Sequence, residues 1–354
     1  MLTPPPLFGH STLSKSYFLT HFHSDHYGGI TANWNAGTIY CSEATANLLN
    51  QQLRVDRKFI HPLPMFEPVV LESKGKPITI TLLDANHCPG AVMFLFNVAK
   101  QREILHVGDF RWNRHMMLQQ GPLASISSGK LLLDELFLDT TYCNPKYTLP
   151  TQEEAIKATV SIVKGEIQNS KERKCRTLHL FGSYTIGKER IYLGVAEQLG
   201  LKVYVDPRRH RILSALGWSK ERMALLTTNK AESNVWVIPL GEINMKKLPE
   251  YMISTVNRKK VPFDRIVGYR PTGWSMPKSG NIVASRASGN IIIHGIPYSE
   301  HSSFPELVDC LQCLRPKKIV PTVNASKSSE QVDMLLKALR QKQTTLPFPA
   351  RVRK

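Results

Sequence analysis

No stretch of this 354-residue chain approaches the roughly 18 consecutive apolar residues of a membrane-spanning helix. Its first residues also lack a charged segment followed by a hydrophobic one, so neither a membrane span nor a secretory signal is indicated and an intracellular protein is expected. Internal repeats and long low-complexity tracts are missing as well. Cysteine is scarce and unpatterned: Cys41, Cys88, Cys143, Cys175, Cys310 and Cys313 form no framework, and Cys310-Leu311-Gln312-Cys313 has no second pair with which to build a zinc site. Reduced thiols are expected. Acidic residues are few, 28 against 46 Lys and Arg, and the net charge of +18 favours a polyanionic partner while saying nothing about fold. The excess is clustered in Lys171-Glu172-Arg173-Lys174-Cys175-Arg176, Pro207-Arg208-Arg209-His210-Arg211 and Asn257-Arg258-Lys259-Lys260, all between Tyr142 and Arg270. With 42% hydrophobic residues the chain has enough apolar material for one large core or two adjoining ones, and two lobes are expected.

Histidine is concentrated instead. Thr20-His21-Phe22-His23-Ser24-Asp25-His26 follows the apolar run Tyr17-Phe18-Leu19. Residues two apart in an extended chain point the same way, so His21 and His23 can grip one cation while the next turn delivers Asp25 and His26 to a second. Imidazole and carboxylate without thiolate favour zinc, then manganese or iron, in an open hydrolytic site. The bland alternative, a solvated turn whose histidines merely titrate, suits one or two histidines better than H-x-H-x-D-H.

One device then recurs: an apolar strand ending in a ligand-type residue. Ile78 to Leu83 runs into Asp84-Ala85-Asn86-His87-Cys88-Pro89-Gly90, followed by a second strand from Ala91 to Phe96. Ile104 to Val107 leads to Gly108-Asp109, and Leu136 to Leu138 leads to Asp139. Ile291 to His294 runs into Gly295-Ile296-Pro297-Tyr298-Ser299-Glu300-His301. A lone strand-end Asp is more often a turn former and a lone His a surface group. Their succession reverses that preference. His294 reads as an ordinary strand residue, Cys88 as no ligand, and Ser303-Phe304-Pro305-Glu306 as a capping box rather than a nucleophile.

These blocks, with Leu138-Asp139-Thr140-Thr141-Tyr142, Arg270-Pro271-Thr272-Gly273-Trp274 and Pro297 to Ser303, resemble the metallo-β-lactamase fold. They are most similar to its β-CASP nucleases of the DNA cross-link repair subgroup that includes Artemis and Apollo. The resemblance implies an αββα sandwich with an inserted α/β β-CASP domain. Residues 1–147 would form the first part of the metallo-β-lactamase domain, 148–272 the insert, and 273–354 the return segment and tail. By the same resemblance His21, His23, His87 and Asp109 hold one metal, and Asp25, His26, Asp109 and His301 the second, with Asp109 bridging. Asp139 matches an acidic motif residue and stands with Asp25, Asp109 and His301 as catalytic. Val323 occupies a position that is valine in DNA-acting members and histidine in RNA-processing ones. The family also carries an Asp on a strand before the histidine motif. No acidic residue precedes Asp25 here, so the expectation is either an N-terminally shortened core or a missing orienting carboxylate, whose loss typically costs about 10–100-fold in affinity or activity.

The insert opens with the capping box Thr151-Gln152-Glu153-Glu154, and Ala155, Ile156, Thr159, Val160 and Val163 predict a helix to Gly165. Thr177 to Phe181 reads as a strand, Gly182 to Gly187 as a loop, and Lys188 to Leu199 as a helix stopped by Gly200; Val203 to Val205 and Val235 to Ile238 supply further strands. Strand, loop and helix start suggest an anion cradle of Ser183, Tyr184, Thr185, Gly187 and Lys188. The P-loop spacing is absent, and a plain crossover is the alternative. The resemblance assigns a substrate 5′-phosphate to this segment. Tyr27 and Trp274 are equally stacking platforms or packing plugs.

Two cations about 3.5–4 Å apart activate a water and the scissile phosphate oxygen together. By the resemblance, the expected protein is a metal-dependent DNA nuclease, a 5′-to-3′ exonuclease on 5′-phosphorylated DNA in DNA repair, including interstrand cross-link repair. Zinc is the expected metal, one or two ions, with magnesium or manganese as the option at the second site. A monomer that takes DNA and repair proteins as partners is expected. Nuclear residence is implied by the resemblance alone. A small-molecule metallo-hydrolase of lactamase or thioesterase type and a catalytically silent DNA-binding scaffold are the competing readings.

Overall fold

A computed structural model describes residues 14–73, 76–99, 101–256, 258–273 and 283–345. The first 13 residues, Trp274 and the end of the basic tail lie outside the described residues. The chain divides into two compact units, one of residues 1–62, 88–90 and 149–300, the other of 63–87, 91–148 and 301–354.

The second unit is built on a mixed six-stranded sheet. Its spatial order is Lys318–Pro321, Glu135–Leu138, Arg102–His106, Val92–Val98, Lys76–Asp84 and Pro68–Ser73. The first three run parallel and the rest alternate, so Lys76–Asp84, Arg102–His106, Glu135–Leu138 and Lys318–Pro321 all point the same way. Their C-terminal ends therefore open on one edge of the sheet. Pairing in this region is fixed by burial: Val92 to Phe96 is buried at every position, as expected of a strand covered on both faces. The helix Phe304–Leu314 starts at the expected Ser303 to Glu306 capping box, and the helix Ser328–Thr345 closes the described chain.

The first unit holds two larger sheets and a ribbon. Ser16–Phe18, Thr38–Cys41 and Ile60–Pro62 form a parallel three-stranded sheet, and the Leu19 N–H continues the pairing to the Tyr40 carbonyl at 2.9 Å, just before the histidine motif. The seven-stranded sheet runs in the order Leu226–Thr227, Val203–Tyr204, Val235–Pro239, Thr177–Ser183, Arg265–Pro271, Ile291–Ile296 and Ala284–Ser288, parallel except for the last strand. Thr177–Ser183 is central and buried along its whole length. Leu178, Leu180, Trp236, Ile238, Phe263 and Ile266 form the core against it. The two strands after residue 272 extend this sheet, with Ile266 opposite Ile291 and Pro271 opposite Ile296. Ile253–Val256 and Lys259–Pro262 make a separate antiparallel ribbon.

The first insert helix runs Gln152–Glu172, past the expected stop at Gly165. A Cβ at Gly165 would meet nothing within 4 Å, so the position is open and glycine costs the helix only its propensity, about 1 kcal/mol. The second helix, Glu189–Leu199, ends as expected at Gly200, which takes φ +63°. These helices approach closely because Gly194 has no side chain; a Cβ there would lie 2.7 Å from Ile156. None of the six cysteines is in a disulfide. Among the described residues no helix is long and apolar enough to cross a membrane.

Candidate metal centre and anion loop

In the second unit, the shared sheet edge collects four of the expected residues. His87 follows Lys76–Asp84 in a turn held by the Asp84 carboxylate, which accepts the Asn86 N–H at 2.6 Å while the Asn86 amide donates to the Arg111 carbonyl at 3.0 Å. Asn86 takes φ +52° in that turn, a conformation Asn tolerates better than most residues. Asp109 follows Arg102–His106, where the Gly108 N–H donates to His106 Nδ1 at 3.1 Å. His87 Nε2 lies 3.8 Å from Asp109 Oδ2. Ligand atoms of Asp109, Asp139 and His301 lie within 4.8 Å of one another, and the His87 and His301 rings are 4.8 Å apart.

Asp139 is only 1% exposed, and its two oxygens accept from four groups. Oδ1 takes the Thr141 N–H (3.0 Å) and hydroxyl (2.6 Å); Oδ2 takes the Phe110 N–H (3.3 Å) and His301 Nδ1 (2.8 Å). A carboxylate accepting from His301 Nδ1 fixes the proton there and puts the ring's lone pair on Nε2. The turn bearing His301 is stitched by Ser302, whose hydroxyl accepts the Trp112 N–H at 2.9 Å and donates to the Phe110 carbonyl at 3.0 Å. Arg111 pairs with Glu306 at 2.8 Å, and Trp112 and Arg114 both donate to Asp309, tying the Phe304–Leu314 helix to the Asp109 loop. Val323 is 36% exposed, and its carbonyl accepts the Thr140 hydroxyl at 3.1 Å.

In the first unit, His21, His23, Asp25 and His26 gather on one turn, closed by His26 and Tyr27 N–H groups that both donate to the His23 carbonyl at 3.0 Å. The His21 ring lies 4.6 Å from that of His23 and 4.0 Å from that of His26. Asp25 is exposed, with His26 Nε2 3.9 Å from its Oδ2. Thr20 Oγ1 sits 3.0 Å from His21 Nδ1. His23 Nε2 lies 3.1 Å from the Ile186 carbonyl; a carbonyl only accepts, so Nε2 carries the proton and Nδ1 the lone pair. Tyr27 packs on Phe22 at 4.5 Å. Burial first, then the Asp25 charge, raises its phenol pKa against the opposing pull of Arg208.

The donor set fits divalent transition metals. It offers imidazole nitrogens and carboxylate oxygens without thiolate. In two of the imidazoles the far ring nitrogen is committed to a carboxylate or a backbone carbonyl, the arrangement that fixes tautomer and orientation in metal-bound histidines.

The expected anion cradle lies at the carboxyl end of the central strand of the seven-stranded sheet, where open parallel sheets place ligands. Tyr184 and Thr185 are exposed and Ser183, Gly187 and Lys188 are buried. A cleft of about 560 Å³ beside them is lined by Ser183, Tyr184, Thr185, Arg208, Arg209 and Arg270. Arg209 Nη1 donates to the Tyr184 carbonyl at 2.6 Å and the Ser183 hydroxyl at 3.1 Å. Lys188 turns inward: its ammonium is 2.8 Å from Glu300 Oε2, and its N–H donates to Glu300 Oε1 at 2.7 Å. The Gly187 N–H is held by both oxygens of Glu189, each at 2.8 Å. Burial, and next the Glu300 charge, push the Glu189 carboxyl up to about 7 against Arg209 and its backbone donors.

Sequence reasoning missed Thr20, Asp84, Glu189, Arg209 and Glu300. Only Asp84 carried a local signal, an Asx-type turn two residues before Asn86. The others act through partners distant in sequence, apart from Thr20 and Glu189, whose neighbours gave no periodic cue.

A family profile described as DNA repair metallo-beta-lactamase matches residues 220–327. The chain is 39% identical over 324 residues to the DNA cross-link repair protein SNM1 of Arabidopsis thaliana, covering 90% of this chain and 63% of that protein. It is 32% identical over 310 residues to the 5′ exonuclease Apollo of Gallus gallus, covering 88% and 59%. A crystal structure of a protein of unknown function from Enterococcus faecalis matches 89% of this chain and 76% of its own, with a TM-score of 0.56 at 12% identity, a likeness of fold alone. The chain thus has the metallo-β-lactamase fold, in a mixed α/β architecture with a His and Asp cluster suited to metal. Within that fold its similarity is to proteins named for DNA cross-link repair and to Apollo. It spans about three fifths of the length of these two relatives.

Proposed function

We propose that this chain is a metal-dependent DNA phosphodiesterase that shortens 5′-phosphorylated strands in the 5′-to-3′ direction during DNA repair, interstrand cross-link repair included. The observation that carries the reading is the pair of oriented imidazoles: His301 held by Asp139 and His23 by the Ile186 carbonyl, each with its lone pair on the nitrogen opposite the anchor. Ordinary surface histidines have no need of such anchoring.

In this reading His21, His23, His87 and Asp109 hold one cation and Asp25, His26, Asp109 and His301 a second, with zinc preferred and magnesium or manganese as options at the second position. Cations bound there supply Lewis-acid activation of water and charge neutralisation at the scissile phosphate. Asp139 keeps His301 in its Nδ1–H tautomer, while Thr141 and Phe110 donate to the same carboxylate and hold it in place. The segment Ser183, Tyr184, Thr185, Gly187 and Lys188 receives the 5′-phosphate. The arginines of the neighbouring cleft supply positive charge, since the Lys188 ammonium is committed to Glu300. Similarity to a protein named a 5′ exonuclease supports the polarity, and Val323 supports DNA over RNA. The net charge of +18 supports a polyanionic substrate. Nuclear residence, repair-protein partners and a monomeric state complete the proposal.

The test is digestion of end-labelled single-stranded, duplex and hairpin DNA, with and without a 5′-phosphate, across zinc, magnesium and manganese. The expected result is metal-dependent shortening from 5′-phosphorylated ends that His23→Ala abolishes. Faster hydrolysis of a chromogenic β-lactam than of DNA, or DNA binding without cleavage in any metal, would overturn it.

A further inference from the structure

His23 reaches the Ile186 carbonyl, and that carbonyl shares a peptide unit with the Gly187 N–H. A trans peptide is planar, with its C=O and N–H pointing in opposite directions, so fixing one end aims the other. Both carboxylate oxygens of Glu189 accept the Gly187 N–H at 2.8 Å, while the Ile186 carbonyl on the far side of the same plane meets His23 Nε2 at 3.1 Å. The flanking groups are tied as well. The Ser183 hydroxyl donates to the Gly187 carbonyl at 2.8 Å, Arg209 holds the Tyr184 carbonyl, and Glu300 holds both the amide and the ammonium of Lys188.

Nothing intrinsic to the local sequence would hold this plane. Gly187 takes φ +102° and Lys188 φ +73°, and glycine passes between positive and negative φ without steric penalty, so the Ile186–Gly187 peptide is free to flip unless anchored. Glu189 is 2% exposed, and both of its oxygens reach this N–H. A side chain at Gly187 would be strained by the positive φ there, and its Cβ would lie 3.0 Å from Glu300 Oε2.

We propose that Glu189 is a positioning residue for His23: by clamping the Ile186–Gly187 peptide it aims a carbonyl at His23 Nε2, selects the Nε2–H tautomer and leaves Nδ1 as the coordinating nitrogen. The proposal rests on the reading of His23 as a metal ligand. It gives the loop expected to cradle phosphate a second task, that of fixing a ligand ring through its backbone.

The test uses the full chain. Long-range 1H–15N correlations on metal-free protein report the tautomer of His23, and competition with a chromogenic chelator reports zinc affinity. Wild type is expected as the Nε2–H tautomer. Glu189→Leu is expected to mix the tautomers and weaken zinc by about 10–100-fold, and Glu189→Gln, which retains one acceptor, to stay within a few fold of wild type. A folded Glu189→Leu chain with unchanged tautomer and zinc affinity would overturn the proposal, as would an Nδ1–H ring in wild type. If Glu189→Leu does not fold, Glu189→Asp, one methylene short of the amide, must show the same two shifts, and their absence overturns the proposal. A chain that binds zinc through His23 but leaves DNA intact would remove the nuclease reading and leave this one standing.

Discussion

At the scale of single residues, the ligand-type side chains were legible and their supports were not. His21, His23, Asp25 and His26 stand together in sequence, and His87, Asp109, Asp139 and His301 each end an apolar strand. The Asp139 to His301 bond joins residues 162 positions apart, a pairing that no local pattern announces. Replacing Asp139 with Asn keeps the volume but removes the carboxylate that holds the His301 Nδ1 proton. Metal affinity is expected to fall about 10–100-fold with little change in fold, as checked by chelator competition alongside circular dichroism. Outside the site, one buried histidine contributes to acid sensitivity. His179 lies in the central strand, its Nδ1 3.0 Å from the Tyr269 hydroxyl, and burial, then the Arg265 charge, pull its pKa down to about 4. The unfolded chain protonates this ring near its ordinary value of 6.5, while the folded chain keeps it neutral. Its contribution is therefore complete above pH 6.5 and lost as pH falls toward 4. Glu189, raised to about 7, works the other way, costing stability as pH climbs from its ordinary carboxylate value. Urea titrations of wild type and His179→Gln across that window isolate the histidine: wild type should lose stability relative to the variant as pH drops, and parallel curves would contradict the assignment.

At the scale of elements, apolar periodicity and caps located the strands that lead to His87, Asp109, Asp139 and His301 and the helices Gln152–Glu172, Glu189–Leu199 and Phe304–Leu314, and one boundary went astray where a local signal was overruled. Gly165 suggested a stop, yet the helix continues to Glu172 because the position is open and the buried face, Ala155, Thr159, Val160, Val163, Glu166 and Ser170, carries on past it. Ala284–Ser288 and Ile291–Ile296 follow the point where the chain was expected to leave the insert; Ile291–Ile296 pairs with Arg265–Pro271, and Ala284–Ser288 pairs in turn with Ile291–Ile296, so both lie in the seven-stranded sheet. Register across a sheet is a long-range property, and sequence spacing does not encode it. Caps, being local, were readable. Thr151 and Glu154 satisfy each other's backbone N–H groups at the start of Gln152–Glu172. Thr151→Ala should cost about 1 kcal/mol, a fall of about 2–4 °C in melting temperature. Metal affinity should be unchanged, because the cap touches no ligand; a drop in metal binding would show that this helix does more than support the sheet.

At the scale of the whole molecule, composition carried the clearest message. A net charge of +18 predicts binding to nucleic acid that weakens steeply with salt. For single strands the slope of log K against log salt should be about −0.7 per phosphate contact, so Arg208→Gln, which removes a charge lining the loop's cleft, should flatten it by about 0.7. A slope indifferent to that substitution would move the DNA path elsewhere. What composition could not tell was the division of labour, since the histidine motif and the anion loop lie in one compact unit and the Asp109, Asp139 and His301 cluster in the other. The most direct test of the account is an anomalous-difference map collected at the zinc edge from zinc-loaded crystals. The account predicts one or two zinc peaks, with density about 2.0–2.1 Å from Nδ1 of His23 and from Nε2 of His301. Zinc bound away from these histidines would contradict it.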